Sequence, residues 1–127
     1  MWKTISKQAH WLLRIALASV FLYHGIGKFP HLQNLAAMMK MPVALIFLLA
    51  VMEVSGALLV LVGGFRKEWA TRLGTLFLMP VMLGAIAMVH WPQWSFVASK
   101  THPMGGMEFQ VTLFLVQLYL FVRGNQA

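Results

Sequence analysis

Arg14, His24 and Lys28 interrupt a stretch that is otherwise apolar from residue 11 to residue 30. On a helical wheel advancing about 100° per residue, these three and His10 fall within one sector of about 80°. An ionisable group is costly in lipid, so such a face is expected to turn inward, toward other helices or a wet cavity. The plainer alternative is that His10 and Lys28 mark two interfaces while Arg14 snorkels out.

Glu53 is the single charge in residues 43–62. It lies about 15 Å along a helix from Val43, near mid-membrane. An unpaired carboxylate at that depth takes a proton or requires a cation. Measured from the Lys28 end of the first span, Arg14 lies about 21 Å deep and His24 about 6 Å. Glu53 falls between them, so either is the predicted partner. An Arg14–Glu53 pair would fix helix register; a free Glu53 would serve a ligand pocket or a proton path. At the Lys28 end more polar groups gather by height: His24 and Lys28 one turn apart, His90 closing the third span, and Glu108 opening the fourth. Capping accounts for Glu108 alone, because a carboxylate is favoured at a helix N-terminus. Together the four predict a polar pocket.

The elements that must position them are membrane helices. The chain has 127 residues, 60% hydrophobic and 10% charged, where a soluble domain carries about 25% charged residues. Apolar spans are predicted at residues 10–28, 43–63, 69–90 and 106–123, with an interfacial helix over 31–40. The fold class is therefore all-α and integral to the membrane: an up-down bundle of four transmembrane helices in one domain, 1–127. Lys3, Lys7, Arg66, Lys67, Arg72 and Arg123 fall on one side, against Lys28, Lys40 and Lys100 on the other. That asymmetry places both termini in the cytoplasm. The basic N-terminus resembles a signal peptide, but the apolar run continues past Ala18 to Ile26, so a retained first helix is expected. Pro80 inside the third span predicts a kink.

The net charge of +7 does not indicate nucleic acid, because the basic residues stand singly between apolar runs. The absence of cysteine removes disulfides, thiolate metal sites and dithiol chemistry. Met38, Met39, Met41, Met104 and Met107, with His31 and His102, offer soft ligands for copper. His24 and His90 offer two for haem. No spacing supports either, and no metal residue is assigned.

Four pieces of the sequence resemble the DoxX family of small bacterial membrane proteins. They are Leu13-Arg14 through Phe21-Leu22 to Gly25 and Lys28-Phe29; Glu53-Val54-Ser55-Gly56 running to Gly63-Gly64; Arg72 with the third span and His90; and Gly105-Gly106 before Glu108. The resemblance spans about residues 12–124, with Ser55-Gly56 where many relatives carry paired glycines. It implies a redox-linked membrane subunit near the quinone pool, with Arg14, Lys28, Glu53, His90 and Glu108 as the family's polar positions. The function that the resemblance implies is a component of a redox system in the bacterial inner membrane, with an outward-opening polar pocket for quinone or a similar small molecule. Glu53, His90 and Glu108 are assigned catalytic roles, and His24, Lys28 and Arg14 binding roles. Electrons would come from a partner membrane or periplasmic subunit, or from a bound cofactor. Turnover by this chain alone, and association with copies of itself, are left open. The alternatives are a structural or assembly subunit of a larger membrane complex, and a copper- or small-molecule-handling protein.

Overall fold

Uninterrupted apolar sequence with few β-branched clusters or turn signals leaves the backbone one way to satisfy its own hydrogen bonds in lipid, the helix. In the computed structural model, which describes residues 1–126, every regular element is helical. A short α1 (Trp2–Gln8) runs almost directly into α2 (His10–Lys28), because Ala9 between them keeps helical dihedrals. A 3-10 turn (Phe29–His31) leads to α3 (Leu32–Met39). Lys40 then adopts a left-handed φ of 56°, which turns the chain into α4 (Val43–Gly63). After a tight turn come α5 (Glu68–Ala85), a π-helical turn (Ile86–His90), and α6 (Glu108–Arg123). Pro80 sits within α5, and the helix continues through it.

The segments Trp2–Met39, Val43–Gly63 and Glu68–His90 are long and apolar enough to cross a bilayer. α6 has 16 residues, or about 24 Å at the usual rise. Neighbouring long helices run antiparallel. One end of the bundle, here called proximal, gathers α1, the start of α2, the 63–68 turn, the start of α5 and the end of α6. The distal end gathers α3, the start of α4 and the segment 91–107. α4 packs on both α2 and α5, and α5 packs on α6. The core is formed by Leu17, Phe21, Val60, Leu78, Met82, Leu113 and Leu120. Gly56 and Gly74 set the crossing of α4 and α5: a Cβ on either would stand 2.9 and 2.7 Å from the other's carbonyl oxygen.

Segment 91–107 is irregular but well bonded. The amides of Gly106, Met107 and Glu108 donate to the carbonyls of Ser95, Gln93 and Trp94 at 2.7, 2.8 and 2.9 Å. These bonds satisfy donors that the first turn of α6 would otherwise leave open. Gly105 has a φ of +85°, and a Cβ there would collide with the Phe96 carbonyl.

Candidate functional site

Glu53 is buried in mid-α4, and its partner is Lys28 rather than Arg14 or His24. The Lys28 ammonium lies 2.6 Å from Glu53 Oε1. A lysine at a helix end ordinarily extends toward the interface; this one folds back into the bundle. Gly25 permits it. A Cβ on Gly25 would stand 2.9 Å from Val54 Cγ2 and 3.0 Å from Glu53 Cβ, so α2 can lie directly against α4 one turn below Lys28. The second carboxylate oxygen, Glu53 Oε2, is buried and has no hydrogen-bond partner among the described residues. An orphaned acceptor beside an ion pair is the kind of group that takes a proton or receives a ligand's donor.

Arg14 belongs to a different constellation at the proximal end. Its guanidinium is fully buried. Nε donates to His10 Nδ1 at 2.8 Å, Nη1 to the Val60 carbonyl and Thr71 Oγ1 at 2.7 Å each, and Nη2 to Asn125 Oδ1 at 2.8 Å. Asn125 Nδ2 in turn donates to the Gly63 carbonyl at 2.9 Å. One side chain thus ties α2, α4, α5 and the segment after α6. The predicted Arg14–Glu53 pair does not form, because the two residues sit at different depths.

The distal polar residues do not bond to one another among the described residues. His24 is exposed, with its ring 5.4 Å from that of Tyr23, although the wheel placed it with Arg14. His90 is buried and shares a 2.8 Å bond with the Gly105 carbonyl. A carbonyl only accepts, so Nδ1 carries the proton and Nε2 stays available. Glu108 Oε1 accepts from the Phe96 amide at 3.4 Å. A cavity of about 350 Å³ opens at this end beside Phe29, His31, Gln33, Asn34 and Val43. Glu53 does not line it. No group of three His, Asp or Glu side chains is placed to hold a metal among the described residues.

Gln117 carries no charge to draw notice in the sequence, yet it is fully buried on α6 with neither amide atom bonded among the described residues. Gln110, one heptad earlier and so on the same face, also leaves its buried oxygen unbonded. That spacing of two glutamines in an apolar span was the available signal. Thr71 and Asn125 had none, since their importance comes from Arg14 alone.

Among known proteins, the model of the DoxX family matches residues 9–91. That region holds Arg14, His24, Lys28, Glu53 and His90, and leaves Glu108 and α6 outside. Comparison with curated proteins and with solved structures gives no match.

Proposed function

The chain belongs to the DoxX family, is a multi-pass membrane protein, and from that premise we propose that it is an oxidoreductase component that holds quinone or a similar small molecule at Lys28 and Glu53. The observation that carries this reading is the unpartnered Glu53 Oε2 beside the 2.6 Å ion pair in an apolar bundle. A quinone would bring carbonyl oxygens and a demand for protons and electrons. Lys28 suits one carbonyl as a charge-assisted donor and steadies negative charge there as reduction proceeds. Glu53 passes a proton through Oε2. His90 Nε2, His24 and Glu108 stand at the distal end as further partners for a polar head. Arg14 holds the helices in register.

In this reading α6 is a fourth crossing helix, the termini face the cytoplasm of a bacterial inner membrane, and the distal end faces outward. The excess of Lys and Arg at the proximal end supports that orientation. Electrons enter from a partner redox subunit.

The test is the double variant Lys28→Met/Glu53→Leu, purified as the full chain in mild detergent and titrated with a short-chain ubiquinone. Replacing a buried ion pair by apolar residues of similar volume is close to neutral for stability, within about 1–2 kcal/mol. The variant is therefore expected to keep its fold while binding at least about tenfold more weakly. Equal binding by both proteins, or none by either, overturns the reading. The pair would then be a packing device and the chain a structural or assembly subunit.

A further inference from the structure

The proximal end carries a second feature that the redox reading does not use. A cavity of about 500 Å³ opens there, between the end of α1, the start of α2, the 63–68 turn and Asn125. Lys7 and Arg66 stand at its rim, and His10 and Asn125 form part of its wall. Among the described residues no carboxylate lines it. Glu68, at the same end but outside the lining, is 3.6 Å from Arg72.

Behind that wall lies Arg14. Its four acceptors are all neutral, and among the described residues it has no carboxylate partner. Two of those acceptors, His10 and Asn125, are themselves cavity wall. A desolvated cation without a counter-anion is costly, and its field reaches the cavity past the two side chains that both accept from it and line the cavity. The same network sets the chemistry of the wall. Arg14 Nε can only donate, so His10 Nδ1 must accept, and the ring's proton resides on Nε2. His10 is 6% exposed. The cavity thus offers an ammonium and a guanidinium beside a neutral imidazole, above a third positive charge, Arg14, that lacks a carboxylate partner among the described residues.

We propose that this cavity binds the phosphate group of an anionic phospholipid. Size and charge suit a phosphodiester. Leu12, Phe65 and Trp69 are exposed at the same level, which gives acyl chains an apolar flank and places aromatic rings where headgroups lie. Arg66 adds a further sign of a placed charge: it is held at a left-handed φ of 69°, a conformation glycine would adopt more readily.

The experiment uses the full chain in nanodiscs of phosphatidylcholine with a minor fraction of phosphatidylglycerol. Lipid carried through extraction into detergent is counted by mass spectrometry. Phosphatidylglycerol is expected to be enriched over its bulk fraction in the wild type. Lys7→Gln and Arg66→Gly should each lower that enrichment about fivefold. Arg66→Gly suits the backbone better than arginine does, so loss of fold cannot account for its effect. Lys3→Gln, at the same end but outside the cavity, should change little. Equal losses in Lys3→Gln would mean diffuse surface attraction and overturn the site. So would unchanged enrichment in the two cavity variants. Binding of inorganic phosphate in pure phosphatidylcholine discs, with no phosphatidylglycerol enrichment, would overturn the lipid assignment in favour of a free anion.

Discussion

A guanidinium that meets only neutral acceptors is held by geometry rather than by charge. The planar fork of Arg14 reaches four groups on three helices and the segment beyond α6. An ammonium has three donors for these four acceptors and lacks the fork's fixed geometry, so Arg14→Lys leaves at least one acceptor unmet. An unmet buried group costs about 1–3 kcal/mol, so a loss of that size is expected, read as a lower thermal midpoint in mild detergent. Thr71→Val removes one acceptor and should cost about half as much. The ionisable residues themselves were legible in the sequence, because charge in an apolar run is conspicuous. Their pairing was not. A wheel treats each side chain as a ray from the axis, whereas Lys28 folds back by about a turn to reach Glu53. Thr71, Gln117 and Asn125 stayed hidden because a search for titratable groups passes over neutral donors and acceptors.

Between elements, α4 and α5 come close at Gly56 and Gly74, where each helix presents a carbonyl to the other's Cα. Gly74→Val should force the helices apart and lower stability by about 2 kcal/mol in the same thermal assay. Gly84 provides the contrast: nothing lies within 4 Å of its virtual Cβ, so Gly84→Ala should leave stability unchanged or raise it by about 0.5–1 kcal/mol. The segment before α6 is equally specific. A Cβ at Gly106 would run into the carbonyls of Gln93 and Ser95. Gly106→Ala is expected to release the cap, and hydrogen exchange at the amides of residues 106–108 should accelerate about tenfold or more. Helical class and apolar length could be read from composition, since bilayer thickness dictates both. The cap could not, because its bonds join irregular backbone that has no periodic signature.

At the scale of the molecule, positive charge is asymmetric from end to end, and the absence of cysteine makes that measurable. Single cysteines at Lys3 and Lys67 should react with an impermeant maleimide only from the cytoplasmic face. Lys100→Cys should react only from the other face. Labelling of all three from one face would refute the orientation and the crossing number together. α4 touches both α2 and α5, so the first three long helices form a unit that α6 joins mainly through α5 and also through α2. Arg14 and Asn125 lie 111 residues apart in the chain, which has a consequence for biogenesis. Translation delivers the guanidinium early and its Asn125 acceptor only after α6 has emerged. Until then the nascent protein carries a bare N–H inside its first helices. The segment that follows α6 removes it, so a late-emerging part of the chain supplies the acceptor that completes the polar network of an early one.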